Sequence, residues 1–118
     1  MLPSENRLTD GASFRQTVRS GRRAGSRTVV VHLVEVDPAV GDSGPRIGFV
    51  VSKAVGNAVV RNHVKRRLRH LAREHVSSLP GSAVLVVRAL PAAASASTRE
   101  LSADLSRCLA RVQPEVTA

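Results

Sequence analysis

Residues 56–70 carry the sequence GNAVVRNHVKRRLRH, which is strongly basic and at the same time periodically apolar. Within residues 61–70 there are five Lys or Arg side chains and two His. At about 100° per residue, the apolar positions fall on one side of a helix, namely Val60, Val64, Leu68, Leu71 and Leu79. The stretch therefore predicts an amphipathic helix from about Ala58 to Ser78, ended by Pro80-Gly81.

The opposite side of this predicted helix carries a single sign of charge. It brings together Asn62, Lys65, Arg66, Arg69 and Arg73, with no acid among them. Like charges on one helix face repel each other, so we expect an external anion to neutralise them. Because a solvated helix face usually carries mixed charges, the phosphate backbone of a nucleic acid is the anion that this face fits best.

The whole chain is basic as well. Its 118 residues have room for one domain, which we place at residues 1–118. The formal net charge is +9, and 13 of the 18 Lys and Arg lie between Arg15 and Arg73, together with only three acids. Such a concentration of charge indicates a nucleic-acid partner. A membrane-surface helix would need a strongly apolar, aromatic face, and Trp is absent.

The number of cysteines and the hydropathy of the chain indicate in which cellular compartment the protein occurs. The single cysteine, Cys108, excludes an internal disulfide framework and an all-cysteine metal site. No apolar run approaches the roughly 20 residues of a membrane-spanning helix. The residues after Met1 lack the apolar core of a signal peptide. We therefore expect a cytoplasmic protein without a membrane partner.

The ionisable residues show no catalytic or metal-binding pattern. His63, His70 and His75 are spaced by seven and five residues, which does not place a pair at i,i+4 on one helix face. The nine acids are scattered, and no nucleophile, base and acid occur in a recognisable arrangement. We expect no catalytic residue and no metal ligand in the protein itself.

The part of the chain before the basic helix predicts one helix and two strands. Asp10 can cap a short helix from about Gly11 to Ser20, around which Arg22 and Arg23 would also project. The β-branched run Thr28–Val36 is the clearest strand of the chain. Arg46–Ser52 is a second strand after a turn-rich loop. We expect these two strands to form an antiparallel hairpin.

The part after the basic helix predicts a strand, a linker and a final helix. The strand covers Ala83–Ala89, and Pro91–Ala96 has the composition of a flexible linker. Ser97-Thr98-Arg99-Glu100 has the spacing of a capping box, which would open the final helix. Its expected core stripe is Leu101, Leu105, Cys108, Leu109 and Val112. The order predicts an α+β fold, a small sheet flanked by helices, and the strands around the basic helix can be parallel.

The basic run resembles the signature of the bacterial ribonuclease P protein subunit. The family pattern is approximately GNAVxRNRxKRxxR. This chain matches nine of its ten defined positions: Gly56, Asn57, Ala58, Val59, Arg61, Asn62, Lys65, Arg66 and Arg69. His63 stands where the pattern has a second arginine. The resemblance extends to Asn6-Arg7-Leu8, to the helix around Phe14 and to Val51-Ser52-Lys53, and so spans nearly the whole chain.

This resemblance implies a fold and a function. The implied fold is ribosomal-protein-S5-domain-2-like, with the order α-β-β-β-α-β-α and a left-handed βαβ crossover, against the usual right-handed preference. The implied function is that of a subunit that binds the catalytic ribonuclease P RNA and the 5′ leader of precursor tRNA. It promotes endonucleolytic removal of the leader. The RNA and its bound Mg²⁺ would carry the chemistry, and no DNA partner is expected.

Two sets of site residues follow from the resemblance and from the helix face. The predicted RNA-binding residues are Arg61, Asn62, His63, Lys65, Arg66, Arg69 and Arg73. The predicted leader-binding cleft contains Phe14, Val18, Val30, His32 and Lys53, with Val34 on the same strand face. Val18 and His32 stand where relatives often carry aromatic residues. We therefore expect weaker base stacking and a larger electrostatic share in leader binding than in those relatives.

Several of these residues leave two interpretations open. Arg61 either contacts phosphate or lays its stem over the edge of the core. His32 is either a satisfied core histidine or a base contact, and Phe14 is either core or cleft. Lys53 is either a solvated cation or a phosphate contact. For the whole chain, the alternatives are a structural RNA-binding protein of ribosomal type and a stand-alone nuclease.

Overall fold

A computed structural model describes residues 21–35, 45–76, 79 and 83–113, and in these ranges the chain forms one small sheet with two α-helices on it. The elements in chain order are β1 (Arg22–Gly25), β2 (Val29–Glu35), β3 (Arg46–Val50), α1 (Ala58–Arg73), β4 (Ala83–Ala89), a 3₁₀ helix (Pro91–Ala94) and α2 (Thr98–Val112). The α+β class expected from the sequence is confirmed. The predicted helix at residues 11–20 lies outside the described residues.

The sheet is mixed, with the strand order β1-β2-β4-β3. β2 is antiparallel to both of its neighbours, and β3 runs parallel to β4. The parallel pairing of the strands that flank the basic helix, which the sequence left as a possibility, is therefore present. In this βαβ unit, α1 connects two adjacent strands.

The predicted hairpin between the strands at 28–36 and 46–52 is wrong, because β4 lies between them. β4 has the sequence AVLVVRA and is buried at every position except Arg88. A strand that is apolar on both faces is stabilised most in the middle of a sheet. The ten residues from 36 to 45 are more than a tight turn requires, so β2 and β3 need not be neighbours.

The main core lies between one face of the sheet and the two helices. Alternation along β2 sends Val29, Val31 and Leu33 into this core, where none is more than 1 % exposed. The helices meet them with Val64 and Leu68 from α1 and with the α2 stripe of Leu101, Leu105, Cys108, Leu109 and Val112. The stripe predicted from the sequence is confirmed at each position. Burying one such Leu or Val side chain stabilises the fold by about 1.5–3 kcal/mol.

Three local predictions need correction. α1 ends at Arg73 rather than Ser78, because the amides of Glu74 and His75 bond to carbonyls three residues back and tighten the chain. The supposed flexible linker contains the 3₁₀ helix, and Ala93 and Ala96 are buried in the core. Arg22–Gly25 is a strand paired with β2, whereas the sequence predicted no strand there and expected Arg22 and Arg23 to project around the first helix.

Candidate RNA-binding surfaces

The start of α1 is built by two residues of the signature, Gly56 and Asn57. The Asn57 side chain accepts a hydrogen bond from the Val60 amide at 2.9 Å, which caps the helix. A Cβ atom at position 56 would lie 2.8 Å from Cγ1 of Val60, so only glycine fits there without displacing the helix. These two residues therefore fix where the basic helix begins. From the sequence, Gly56 and Asn57 were recognisable as matches to the signature, but their role in starting the helix was not.

The inner side of α1 anchors the helix to the sheet and to the start of α2. Val64 and Leu68 are fully buried. Arg67 donates to the carbonyl of Ala96 at 2.7 Å and lies 3.3 Å from the hydroxyl of Thr98. Because Arg67 is directed toward the segment before α2 and bonds there, it belongs to the structural side of the helix. This ties the rotation of α1 about its axis to the position of α2.

The outer side of α1 presents the predicted row of RNA-binding residues. Asn62, His63, Arg66 and Arg73 are exposed, and Lys65 and Arg69 are half-buried. Within the described ranges, no hydrogen bond or ion pair to the protein holds Lys65, Arg66, Arg69 or Arg73. The first turn of the helix contains no acid. The structure thus keeps the predicted cations on the outer side and leaves their charge uncompensated by the described residues.

Arg61 lies at the border between these two sides. It is half-buried, and its Nε atom is buried without a hydrogen-bond partner. The burial agrees with the interpretation in which the stem covers the edge of the core. An unpartnered guanidinium nitrogen also leaves the side chain without an internal acceptor. Arg61 therefore combines a packed stem with unsatisfied hydrogen-bonding capacity.

A second surface is the face of the sheet that points away from α1 and α2. Alternation along β2 places Val30, His32 and Val34 there. Val84 and Val86 of β4 pack with Val34 and Val50 in a small apolar cluster that is separate from the main core. The sequence-predicted residues Val30, His32 and Val34 thus do share one face. Phe14 and Val18 lie outside the described residues.

Lys53 is exposed in the turn that follows β3. This turn is closed by bonds from the Val55 amide to the Ser52 carbonyl, 3.1 Å, and from the Gly56 amide to the Lys53 carbonyl, 3.2 Å. The Lys53 ammonium group has no hydrogen bond or ion pair to the described residues. The turn leads directly into the capped start of α1, so Lys53 lies between the sheet and the basic helix along the chain.

His32 is the buried polar residue of the second face. It is 6 % exposed, and its Nδ1 atom is buried without a hydrogen-bond partner. Burial lowers the pKa of His32 below its usual value, and the charges of Arg88 and Arg23 lower it further. The ring is therefore neutral at physiological pH. The burial agrees with a core position for the ring, but its Nδ1 atom is not satisfied, so the base contact stays a prediction.

The acids of α2 are engaged in packing rather than chemistry. Thr28 donates a hydrogen bond to Asp104 at 2.6 Å, and Arg107 lies 3.7 Å from the same carboxylate. Glu100 completes the capping box with Ser97 and forms an ion pair with Arg27. In the described ranges, no three His, Cys, Asp or Glu side chains are grouped as a metal site. None of the helices in these ranges is long and apolar enough to cross a membrane.

These features define a class: a small basic α+β protein that presents a cationic helix beside a sheet face with its own arginines. Comparison with known proteins gives the family. The family model Ribonuclease P matches residues 2–113. The ribonuclease P protein component of Nocardioides sp. is 68 % identical over 117 residues and 99 % of both chains. The Streptomyces avermitilis ribonuclease P protein component is 56 % identical, over 95 % of both chains.

The fold agrees with this comparison. The solved structure of the Staphylococcus aureus RNase P protein matches with a TM-score of 0.76 at 28 % identity, over 91 % of this chain and 96 % of that one. The chain belongs to the ribonuclease P protein family. It is the protein component of an endoribonuclease that works with an RNA subunit in processing the 5′ ends of tRNA.

Several residues at these two surfaces have roles that the sequence did not reveal. Arg67 bonds to the segment before α2, and Gly56 and Asn57 form the start of α1. Arg23 and Arg88 lie next to His32 on the second face. The spacing of Arg67 among the apolar positions of the helix could have revealed its inward direction. The position of Arg23 could not, because it depends on a strand that its own sequence does not favour.

Proposed function

We propose that the outer side of α1 binds the ribonuclease P RNA, through Arg61, Asn62, His63, Lys65, Arg66, Arg69 and Arg73. The observation that carries this assignment is the row of cations that no described acid neutralises. Arg is well suited to such contacts, since its planar fork bonds to two phosphate oxygens at once. Each phosphate contact releases counterions, so the complex weakens as salt rises.

We propose further that the 5′ leader of precursor tRNA binds the second face of the sheet, at Val30, His32 and Lys53 together with Phe14 and Val18. The support comes from the composition of this face, whose described positions are apolar side chains, glycines, His32 and arginines, with no acid. A groove with apolar groups and cations suits a single strand of any sequence. Leader binding there raises the affinity for precursor over mature tRNA.

In this assignment the protein acts by binding and not by chemical catalysis. It neutralises RNA phosphates and holds the leader, while the Mg²⁺ ions needed for hydrolysis are held mainly by the RNA. The chain's own contribution lowers the metal concentration at which the RNA folds and binds substrate, because protein cations replace part of the counterion charge. The described acids fit this division of labour, since Glu100 and Asp104 stabilise α2.

The proposed function is accompanied by a proposed domain extent and strand connection. We assign the chain a single domain over residues 1–118, ribosomal-protein-S5-domain-2-like, with a left-handed β3–α1–β4 crossover. The parallel pairing of β3 with β4 and the likeness to the Staphylococcus aureus protein support it. A small basic protein that works on precursor tRNA is assigned to the cytoplasm.

A reconstitution assay tests the function. Precursor tRNA is incubated with the protein, with its cognate RNA subunit, and with both, at low Mg²⁺ concentration. We expect cleavage at the mature 5′ end to be stimulated only in the combined sample. Cleavage by the protein alone would identify a stand-alone nuclease. RNA binding without any stimulation would instead identify a structural RNA-binding protein.

A further inference from the structure

The line of α1 that points most directly into solvent contains two histidines. Five exposed residues lie on it at spacings of four, three, four and three, namely Val59, His63, Arg66, His70 and Arg73. Residues three and four apart are neighbours on a helix surface, so these side chains form one row. The row begins with Val59, which is 77 % exposed. Neither the sheet nor α2 therefore covers this row.

The helix geometry brings the two histidines into the same direction. His63 and His70 are seven residues apart. That separation is about 10.5 Å along the helix axis and two turns less about 20° around it. Arg66 lies between them in the row, and Arg73 follows His70 by one turn. Two imidazoles and two guanidinium groups can therefore contact one continuous partner surface about 15 Å long.

Neither imidazole of this row is held by the protein. In the part of the chain that the structure describes, no hydrogen bond or ion pair involves the side chain of His63 or His70. The other two histidines are placed differently. His75 is half-buried, with its Nε2 atom 3.4 Å from the hydroxyl of Ser106 on α2. His32 is buried on the second face of the sheet, and this burial lowers its pKa. His63 and His70 are thus the pair that is open to an external ligand.

The charged groups of α1 around these histidines are mostly cations. Arg66 and Arg67 lie one turn after His63, and the residues one turn before it are valines. The same arginines lie one turn before His70. One turn after His70 come one cation and one acid, Arg73 and Glu74. No acid of its own helix can therefore compensate a positive charge on His63, whereas Glu74 can compensate part of such a charge on His70.

The elements that pack on α1 bring no free acid to the row. These elements are β3, the 3₁₀ helix and α2. The 3₁₀ helix has no charged residue, and β3 has one, Arg46. The charged residues of α2 are Arg99, Glu100, Asp104, Arg107 and Arg111. Both of these acids are engaged elsewhere, Glu100 with Ser97 and Arg27 and Asp104 with Thr28 and Arg107. An imidazolium in the row therefore requires an anion from outside the described chain.

We propose that His63 and His70 bind phosphate oxygens of the ribonuclease P RNA as imidazolium groups, each taking up a proton from the solvent when the complex forms above neutral pH. Histidine is the side chain whose charge changes between pH 5 and 8. Phosphate beside an imidazole favours the protonated ring, which has two N–H donors. The inference rests on the proposed RNA-binding function of α1. It adds His70 to the contact and makes the affinity depend on proton concentration.

The direction of this dependence follows from linkage. The complex holds more protons than the free protein, so the affinity rises as the pH falls. The rise ends once the imidazoles of the free protein are protonated as well. An arginine at position 63, as in the family signature, would keep its charge throughout and remove this contribution. Salt would then be the main variable that sets the affinity.

The experiment measures the affinity of the full-length protein for the ribonuclease P RNA at pH 6 and pH 8, with salt and Mg²⁺ held constant and no precursor tRNA. We expect the wild type to bind about 10-fold more tightly at pH 6, the equivalent of one to two contacts that need the protonated ring. His63→Arg should reduce this ratio below about 3-fold by binding more tightly at pH 8. His63→Gln combined with His70→Gln should weaken binding about 10-fold at pH 6 and less than about 3-fold at pH 8.

His75→Gln is the matched control, because this histidine is directed toward α2. It should keep the wild-type ratio. A wild-type affinity that is equal at both pH values would overturn the proposal, and would indicate neutral rings that stack on bases. The proposal also fails if the double glutamine variant keeps the wild-type ratio. If Arg66→Gln combined with Arg69→Gln leaves the affinity unchanged at both pH values, the proposed RNA surface on α1 is itself wrong.

Proton uptake is also measurable with the unmutated protein. Isothermal titration calorimetry at pH 7.5, in buffers of different ionisation enthalpy, gives the number of protons bound when the complex forms. We expect about 0.5 to 1.5 protons for the wild type and less than about 0.3 for His63→Gln combined with His70→Gln. Binding of the wild type without proton uptake, or equal uptake by the variant, would refute the assignment to these two histidines.

Discussion

The helices α1 and α2 pack on the same face of the sheet with equally apolar inner sides, yet their outer sides differ in how charge is balanced. On α2, Glu100 pairs with Arg27 and Asp104 bonds to Thr28, so both acids bind the helix to the β1–β2 region. On α1, the cations Arg66 and Arg69 have no such partner among the described residues. Amphipathicity alone explains how both helices are anchored. The proposed RNA contact of α1 rests on the charge that the described residues leave unbalanced on its outer side.

Removing one buried leucine from either helix should lower the free energy of unfolding by a similar amount. This is the largest effect that we expect. Leu68→Ala on α1 and Leu105→Ala on α2 each remove a side chain that is fully buried. Each change should lower the free energy of unfolding by about 2–5 kcal/mol, because a cavity adds to the lost transfer energy. Urea unfolding of the full chain measures it. A loss below about 1 kcal/mol for Leu68→Ala alone would mean that α1 is not fixed by its apolar side.

Substitutions on the outer sides of the two helices should differ in their effect on RNA binding, whereas substitutions on the inner sides should have the same effect on stability. Arg66→Gln combined with Arg69→Gln should weaken binding to the ribonuclease P RNA roughly 10- to 100-fold, the equivalent of two screened charge-assisted hydrogen bonds. Filter binding at several salt concentrations should also show a smaller salt slope. The matched control on α2 is Arg107→Gln combined with Arg111→Gln, both exposed. We expect it to change affinity less than about 3-fold, since these cations share their helix with acids.

Thermal stability distinguishes this result from a structural effect. Arg66 is exposed and Arg69 half-buried, and neither has a partner among the described residues. Side chains on the outer side of a helix without a protein partner contribute within about 0.5 kcal/mol to folding. The α1 double variant should therefore keep the wild-type Tm. A fall in Tm that matches the loss of affinity would show that the α1 cations support the fold, and the contrast between the helices would then disappear.

The two helices also show which parts of the fold were predictable from sequence. The capping box at Ser97 and the α2 stripe are local patterns, and the structure has both as predicted. The end of α1 was predicted five residues too late, since the approach to β4 depends on tertiary contacts. β1 was missed because RRAG lacks β-branched residues, and its strand conformation is imposed by pairing with β2.

The sheet order and the state of His32 required the structure. The hairpin prediction assumed that strands adjacent in sequence are also adjacent in space. The assumption fails because β4, which is apolar on both faces, is buried between β2 and β3. Alternation in β2 correctly grouped Val30, His32 and Val34, but it could not say which neighbouring strands supply arginines. For α1, the face that carries the cations was predictable, because a helix determines its own side-chain directions. The inward tether of Arg67 also depends on the position of Ala96.

The first turn of α1 allows a finer distinction, between residues of the signature that build the helix and residues that are proposed to contact RNA. Asn57→Ala removes the cap and should destabilise the protein by about 1 kcal/mol. Asn57→Asp keeps an acceptor for the Val60 amide and should remain within about 0.5 kcal/mol of the wild type in urea unfolding. The negative charge of Asn57→Asp should nevertheless weaken RNA binding. Asn57→Ala, which adds no charge, should change RNA binding little. A reversed pattern would assign Asn57 to the RNA contact instead of the cap.

The smallest expected effect concerns pH, because only one of the two helix starts contains a titrating group. At α2, bonds from the backbone amide and hydroxyl of Ser97 lower the pKa of Glu100, with a further contribution from Arg27. A carboxylate whose folded pKa is lowered stabilises the protein above its unfolded pKa of 4.5, and this contribution is lost as pH falls through the folded value. The Tm deficit of Glu100→Gln should thus be present at pH 6 and shrink below pH 4.5.

Asn57→Ala is the control for this titration, since neither Asn57 nor the Val60 amide changes charge in that range. Its Tm deficit should stay constant while that of Glu100→Gln diminishes. If both deficits vanished together on acidification, the loss would come from a general acid expansion of the protein and not from the α2 cap. If neither changed, Glu100 would be bound equally well in both protonation states. The charge on α2 would then be as uninvolved in folding as the charge on the outer side of α1, and the difference between the helices would rest on RNA binding alone.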